Sequence, residues 1–364
     1  MYKKIGFIGL GLIGGSIAKT IKAKFPDIEL KASATKRATI IYAYDDGVIS
    51  NNDILPYSDF ADCDIIFLCA PVKANIENLL AVKPYISDKC IITDVGSVKG
   101  DIEKAVAEAG MSSCFIGGHP MAGTEEIGYE HASEHLLENA YYILTNNGVV
   151  DAKKFGDFYS FIRNLGAIPL EITAEEHDFA TAAISHLPHV ISAALVNTVR
   201  NNETESQLLK TIAAGGFRDI TRISSSSPVM WEHICLTNKD QILNMFDLYI
   251  REISKFKDLI AASDGEGINE LFSDAKEYRD SLPIKGSSIL PQSYDFYMDL
   301  DDKAGGIATV STILAAKDIS IKNIGIIHNR EYRNGVLHIE FYKDADRNLA
   351  IETLEYFNYV IYRE

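Results

Sequence analysis

Several short runs of the sequence carry residue types that bind nucleotides, move protons or hold anions. The first is a glycine-rich run, GLGLIG at residues 9–14, which follows an apolar segment and precedes a helical pattern that includes Ser16. In that setting the glycines allow a tight turn and close approach of the backbone to a pyrophosphate, which rests on the helix N-terminus. The run therefore predicts a dinucleotide-binding site formed by Gly9, Gly11, Leu12, Ile13 and Gly14.

The end of the second expected strand bears on which dinucleotide is bound. About twenty residues after such a glycine run, NAD-binding proteins place an acid that binds the ribose 2′-hydroxyl. This sequence has no carboxylate there but has two cations, Lys36 and Arg37, which suit a 2′-phosphate. The alternative is that both cations merely begin a solvated helix. The pattern predicts a preference for NADP over NAD, with contacts from Ser33, Thr35, Lys36 and Arg37.

Four further groups of residues contain acids, histidines or arginines, and three of the four also contain glycines. They are DVGSVKG at residues 94–100, GGHPMAGTE at 117–125, EHD at 176–178 with SHLPH at 185–189, and GGFRDITR at 215–222, followed by Trp231. Pro188 lies within a long helical pattern, where it removes a backbone donor and predicts a kink. No metal site is expected from His177, His186 and His189, since two of them flank Pro188 and no thiol or acid triad accompanies them.

The elements that would position these runs begin with an α/β region and a helical region. Over residues 1–171 short apolar runs alternate with helical segments, which predicts a Rossmann-type parallel sheet covered by helices. Over residues 172–281 the strand signals vanish and an all-α domain is expected. Its predicted helices are Ala174 to Arg200, Pro228 to Asn238 and Lys239 to Ala262.

The last part of the chain follows a segment of linker composition. Residues 282–292 contain prolines, glycine and serines without periodicity. Residues 293–364 then read as strand, helix, two strands, helix and strand, which predicts a ferredoxin-like unit. In its first strand apolar residues alternate with acids, so one face of that strand should be buried.

Composition and charge limit the classes of function. The 364 residues carry 35 basic and 51 acidic side chains, and the net charge of −16 argues against nucleic acid or an anionic membrane as partner. The five cysteines are odd in number and lack CxxC spacing, which fits reduced thiols. With no signal-peptide pattern and no expected apolar run of about 18 residues, we expect a cytoplasmic protein.

The chemistry-bearing runs, taken with Met230 and Trp231, resemble the prephenate dehydrogenase family, which also holds the arogenate dehydrogenases of tyrosine biosynthesis. The resemblance covers nearly the whole chain. It implies that prephenate is oxidatively decarboxylated to 4-hydroxyphenylpyruvate while hydride passes to the nicotinamide of NADP or NAD. The main departure is Ala34, where NAD-using members carry Asp.

The resemblance also implies roles for individual residues. His119 would be the base that takes the hydroxyl proton, and an imidazole pKa of about 6.5 suits a group that must be neutral at cellular pH. Ser97 would bond the substrate hydroxyl and this histidine, and Arg222 would bind a substrate carboxylate. The other residues expected at the substrate site are Thr124, Glu125, Asp178, Ser185, His189 and Trp231, with the acids orienting Arg222.

The resemblance extends to regulation and assembly. The tail resembles an ACT domain, a regulatory module that often binds amino acids, and the end product tyrosine is its natural effector. The site would lie near Asp302, Gly305 and Ile307, or at an interface between two such domains. The long apolar helices after Thr173 agree with a homodimer, since their faces must be buried.

Other functions remain open on sequence alone. Prephenate and arogenate differ only in a keto or an amino group, and the motifs do not distinguish an arogenate dehydrogenase that forms tyrosine directly. A non-catalytic amino-acid sensor on a nucleotide-binding scaffold is a second alternative, and a 6-phosphogluconate-type or pyrroline carboxylate-type dehydrogenase is a third. Neither of the last two explains the run GGHPMAGTE.

Overall fold

The structure is a computed structural model that describes residues 2–123, 126–282, 294–300, 303, 305–327 and 335–362. The chain divides into two compact units, Met1–Ala261 and Ala262–Glu364. Three residues predicted to bind ligands lie outside the described residues, as does nearly all of the expected linker. Those three are Thr124, Glu125 and Asp302.

A seven-stranded sheet with the order β2-β1-β3-β4-β5-β6-β7 forms the centre of the first unit. The strands are β1 (Lys4–Ile8), β2 (Glu29–Ser33), β3 (Ile65–Leu68), β4 (Ile91–Asp94), β5 (Phe115–Pro120), β6 (Tyr141–Thr145) and β7 (Ile168–Ile172). Strands β1 to β5 pair in parallel, as predicted. The parallel prediction is wrong at β6, which runs antiparallel to β5 and parallel to β7. In the described part of 121–140 no α-helix crosses back over the sheet, so the chain re-enters it in the opposite direction.

Helices cover both faces of this sheet. They are α1 (Leu12–Lys24), α2 (Arg37–Asp45), α3 (Val72–Val82), α4 (Gly100–Glu108) and α5 (Ala152–Asn164). Neighbouring residues of β1 face opposite sides: Phe7 packs in one core with Ile17, and Ile8 packs in a second core with Leu79. Burial on both faces explains why the strands appear in the sequence as continuous apolar runs.

The rest of the first unit is helical, as predicted. The elements are α6 (Ala174–Thr181), a π-helical turn (Ala182–His186), α7 (Leu187–Asn201), α8 (Leu208–Ile212), α9 (Gly215–Thr221), α10 (Pro228–Thr237) and α11 (Lys239–Ala262). Thr173 and Glu176 form a capping box that begins α6. The π-helical turn ends two residues before Pro188, so the helix departs from α-helical geometry close to the kink that the proline predicts.

The continuous helix Ala174–Asn201 is long and apolar enough to cross a membrane by length and composition, contrary to our sequence expectation. Only 28% of its apolar window is buried. Its polar residues His177, Asp178 and His186 are nevertheless buried within the unit. Many large apolar side chains of the helical region are exposed, among them Ile184, Ile212, Ile220, Val229, Leu243, Ile250 and Ile260.

The second unit contains α12 and a four-stranded sheet. Its elements are α12 (Gly265–Ser281), β8 (Tyr294–Leu300), α13 (Gly306–Ala315), β9 (Ile321–Ile327), β10 (Gly335–Phe341), α14 (Asp344–Tyr356) and β11 (Ile361–Tyr362). The strand order is β11-β8-β10-β9, and all neighbours are antiparallel. Phe296, Met298 and Leu300 are buried, which confirms the alternation predicted for β8. They pack with Val310 of α13 and Leu354 of α14.

Candidate active site

The glycine-rich run forms a tight turn between β1 and α1. Gly9 has a φ of +92°, and a Cβ there would lie 2.8 Å from the carbonyl carbon of Cys69. A Cβ at Gly14 would lie 2.8 Å from the carbonyl oxygen of Gly9. A Cβ at Gly11 would meet nothing within 4 Å, because this glycine faces open space. Gly9 and Gly14 therefore permit the turn, and Gly11 leaves room for a ligand to approach the backbone.

The N-terminus of α1 suits an anion. Gly11 is its N-cap residue and provides no side-chain cap, and the first turn contains no acid. The first N–H groups of a helix have no partner within it, and they carry a partial positive charge. The residues of this turn, including Leu12 and Ile13, therefore fit the pyrophosphate of a dinucleotide.

The loop after β2 is open to solvent and holds a charge pair that sequence spacing did not predict. The Ser33 hydroxyl donates to the carbonyl of Leu55 at 3.0 Å. Thr35, Lys36 and Arg37 are exposed. The Arg37 Nε atom donates to the Asp53 carboxylate at 3.1 Å. A carboxylate from a later loop therefore partly balances the cations expected to bind a 2′-phosphate.

Two oppositely charged side chains are buried together at the end of β4. The side chains of Lys99 and Asp94 are 0% and 1% exposed, and the Lys99 ammonium donates to the Asp94 carboxylate. Asp94 also accepts from the amide of Gly96 at 2.9 Å and from that of Gly118 at 3.1 Å. The pair thus joins the loop after β4 to the residue that precedes His119 in β5.

Asp178 of α6 binds the start of α4. Its carboxylate accepts from the backbone amides of Lys99 and Gly100, each at 2.8 Å. The positive end of the α4 dipole favours a carboxylate at this position. We expected Asp178 to orient Arg222, but in the described part of the chain its carboxylate contacts these two amides and His177. These two N–H groups have no partner within α4, so they donate to the oxygen atoms of Asp178.

Two histidines form a hydrogen-bonded chain that ends at Asp178. His119 Nδ1 lies 2.8 Å from His177 Nε2, and His177 Nδ1 lies 2.7 Å from Asp178 Oδ1. The His177 side chain is fully buried, whereas His119 is partly exposed. Burial lowers the pKa of His119 well below its usual range, and the neighbouring His177 lowers it further. Burial also lowers the pKa of His177, although its bond to Asp178 opposes this. Both shifts favour the neutral form of the imidazole.

A second group of aromatic and polar side chains lies around the π-helical turn. The His189 ring stacks on Trp231 with centroids 3.9 Å apart, and His186 meets the same indole edge-on at 6.0 Å. The Asn238 amide group donates to His186 Nδ1 at 3.0 Å and to the Asp178 carbonyl at 2.8 Å. Burial lowers the pKa of His186 to about 4. The indole N–H of Trp231 is buried and has no hydrogen-bond partner among the described residues.

The remaining predicted residues are spread over three elements. Ser97 is partly buried in the loop between β4 and α4, Ser185 is partly exposed in the π-helical turn, and Arg222 is exposed directly after α9. Among the described residues the His119 Nδ1 atom contacts His177 of α6, and the expected bond between Ser97 and His119 stays a prediction. In the second unit Gly305 has a φ of +88° and is the N-cap residue of α13, while Ile307 is 40% exposed.

Sequence reasoning missed three contributors to this site. Asp94 and Lys99 were visible in the run DVGSVKG, but nothing in the sequence showed that they are buried as a pair. His177 was considered only as a metal ligand, although its position beside Asp178 was a usable signal. In the described ranges no group of three or more His, Cys, Asp or Glu residues could hold a metal ion.

Comparison with known proteins identifies relatives along the whole chain. The sequence model "Prephenate dehydrogenase, nucleotide-binding domain" matches residues 17–169, and "Prephenate dehydrogenase, dimerization domain" matches residues 173–274. The prephenate dehydrogenase of Bacillus subtilis (strain 168) is 40% identical over 349 residues, 95% of this chain and 94% of that protein.

Solved structures agree with the sequence matches. Prephenate dehydrogenase from A. aeolicus, in complex with hydroxyphenyl propionate and NAD+, has a TM-score of 0.73 and 29% identity, covering 77% of this chain and 98% of that one. Synechocystis arogenate dehydrogenase has a TM-score of 0.68 and 31% identity, covering 77% of this chain and 100% of that one.

Proposed function

The chain belongs to the prephenate dehydrogenase family, and from that premise we propose that it oxidatively decarboxylates prephenate to 4-hydroxyphenylpyruvate. The observation that carries the proposal is His119 at the carboxyl end of β5, whose Nδ1 atom lies 2.8 Å from Nε2 of the buried His177. The glycine-rich run follows the carboxyl end of β1 in the same sheet, and parallel strands end at one edge. A histidine that can accept a proton and a turn that can bind a dinucleotide, both at that edge of the sheet, are what a dehydrogenase requires.

The protein residues handle the proton and position the substrate. When bound, the nicotinamide accepts the hydride from the ring carbon that bears the hydroxyl group. His119 takes the hydroxyl proton, which it can do because burial keeps the imidazole neutral. Loss of the ring carboxylate as carbon dioxide then leaves an aromatic phenolate, which takes a proton back from His119 or water to form the product hydroxyl, so the net losses from the substrate are one hydride and one carbon dioxide.

Substrate recognition falls to residues from the helical region and two loops. Arg222 binds a carboxylate of prephenate, and Ser97 bonds the reacting hydroxyl. Ser185, His189 and Trp231 line the same site, and Thr124 and Glu125, which lie outside the described residues, stay predicted substrate-site residues. The unpartnered indole N–H of Trp231 supports this, since a buried donor is costly unless a ligand or water accepts its proton.

The cofactor is a nicotinamide dinucleotide, and we propose that NADP is preferred. Lys36 and Arg37 are exposed beyond β2, and no acid occupies residues 33–35. The A. aeolicus relative was solved with NAD+, so NAD is the competing cofactor. Comparison of kcat/KM for the two cofactors tests the preference, and a higher value for NAD would contradict it.

Arogenate is the second candidate substrate. The arogenate dehydrogenase of Synechocystis covers 77% of this chain at 31% identity, so the fold and family accommodate either substrate. Initial rates of nicotinamide reduction with prephenate and with arogenate, each with NADP and NAD, separate the two. Faster turnover of arogenate would reassign the substrate within the same family.

The domain organisation we propose has three parts: residues 1–171 bind the dinucleotide, 172–281 form a homodimer, and 293–364 form an ACT domain after a linker at 282–292. The exposed apolar side chains of the helical region support the homodimer, because an interface between two copies would remove them from water. Light scattering of the purified protein tests it; a monomer at micromolar concentration would contradict it. The five free cysteines support a cytoplasmic location.

Tyrosine is the effector we propose for the ACT domain. The β-α-β-β-α-β order of the elements from β8 to β11 supports the assignment. Gly305 and Ile307 begin α13, and with Asp302 they would form the effector site. Tyrosine should change the reaction rate or the melting temperature, and the absence of both effects would contradict this assignment.

A further inference from the structure

We propose that His177 and Asp178 are positioning residues that set the tautomer of His119, so that its Nε2 atom carries the lone pair that accepts the substrate proton. The inference rests on the proposed function and adds to it the direction of each hydrogen bond behind the base. It follows from the donors around Asp178, from the two imidazole contacts and from the exposure of each ring.

Asp178 can only accept a hydrogen bond from His177. Its two oxygen atoms already receive the backbone N–H groups of Lys99 and Gly100, which cannot act as acceptors. These donors, together with the positive end of α4, hold the side chain as a carboxylate. The proton between Asp178 and His177 therefore resides on His177 Nδ1.

The direction of the next bond follows from the first. A neutral imidazole carries one ring proton, so His177 Nε2 must present a lone pair. The 2.8 Å contact then requires His119 Nδ1 to donate to it. His119 Nε2 is left as the acceptor on the ring that is partly exposed, whereas His177 is fully buried and out of reach of a substrate.

The same chain stabilises the proton once it has been taken up. When His119 Nε2 gains the substrate proton, the Nδ1 proton can shift to His177 Nε2 and place the positive charge beside the Asp178 carboxylate. The charged and titratable groups that face this chain are Asp94 and Lys99 at the end of β4, Asp101 and Glu103 of α4, and His186 of the π-helical turn. Lys99 opposes the charge, but its own ammonium is bonded to Asp94.

Two substitutions of His177 separate positioning from packing. In His177→Asn the amide can still donate to Asp178 but leaves His119 Nδ1 without an acceptor, so kcat should fall by about 10²-fold or more with KM little changed. In His177→Gln the longer side chain can place its carbonyl oxygen near the position of Nε2, and kcat should recover at least about tenfold over His177→Asn. His135→Asn, which alters an exposed histidine, is the matched control and should retain wild-type rates.

Equal rates for the two His177 variants, or a loss confined to KM, would overturn the proposal. Nitrogen NMR of histidine-labelled full-length protein tests the tautomer without turnover, with His119 assigned from the His119→Asn variant. We expect wild-type His119 to carry its proton on Nδ1, and a proton on Nε2 would overturn the proposal. If wild-type protein bound cofactor but oxidised neither prephenate nor arogenate, the proposed function would fail while the NMR result still decided the tautomer.

Discussion

Two sets of titratable side chains belong to the proposed site, and they differ in how they are held. The buried set, Asp94, Lys99, His177 and Asp178, consists of side chains that bond one another or a backbone amide. The exposed set, Lys36, Arg37 and Arg222, faces solvent. Buried charges are costly unless every partner is present, so the first set fixes geometry. Exposed charges keep much of their hydration, so we propose that the second set recognises charged ligands.

Loss of the base should have the largest effect. His119→Asn removes the proton acceptor at the exposed end of the buried chain, and kcat should fall by about 10²–10⁴-fold with KM little changed. Steady-state nicotinamide reduction measures this. Turnover near the wild-type rate would remove His119 from the mechanism and with it the role of the buried set.

Breaking the buried pair should cost stability. Lys99→Met leaves the Asp94 carboxylate buried without its cation, which should lower the free energy of unfolding by roughly 3–5 kcal/mol. Denaturant unfolding measures the loss. The double variant Lys99→Met with Asp94→Asn is the matched control and should recover part of it. A single variant as stable as wild type would show that the pair does not hold the loop.

The buried histidines should make stability depend on pH. The folded-state pKa of His186 is lowered to about 4 from its usual 6.5, so the unfolded chain binds more protons between these values. Its contribution, on the order of 3 kcal/mol, is complete above pH 6.5 and is lost as pH falls toward 4. The difference in free energy of unfolding between wild type and His186→Gln should therefore shrink as the pH falls from 6.5 to 4. A constant difference between them would contradict the assignment.

Within the exposed set, Arg222 should affect binding and leave the chemical step intact. Arg222→Ala removes a charged hydrogen bond to a substrate carboxylate, and KM for prephenate should rise by about 10-fold to 100-fold. The control is the KM for the cofactor, which should not change. An unchanged KM for prephenate would place the carboxylate elsewhere.

Arg37 should have the smallest effect. Its exposed bond to Asp53 competes with a 2′-phosphate, so Arg37→Ala should lower the ratio of kcat/KM for NADP over NAD by about threefold to tenfold. Asp53→Ala is the matched variant and should raise that ratio. The same ratio in all three proteins would show that this loop does not select the cofactor.

The sequence predicted the parts of the site that depend on local pattern. The glycine turn, the helix boundaries around Pro228 and Lys239, and the elements after residue 293 follow from residues close together in the chain. The bond from Asp178 to the start of α4 joins residues 78 positions apart, and no local pattern specifies it. The reversed direction of β6 likewise depends on how residues 121–140 return to the sheet.

The central claim is that this chain couples hydride transfer to decarboxylation of prephenate. The most direct test measures carbon dioxide and reduced nicotinamide released from prephenate by the full-length protein in one reaction. We predict equal amounts of both products from the wild-type protein and neither above background from His119→Asn. Reduced nicotinamide without carbon dioxide, or no turnover by wild-type protein that binds the cofactor, would contradict the claim.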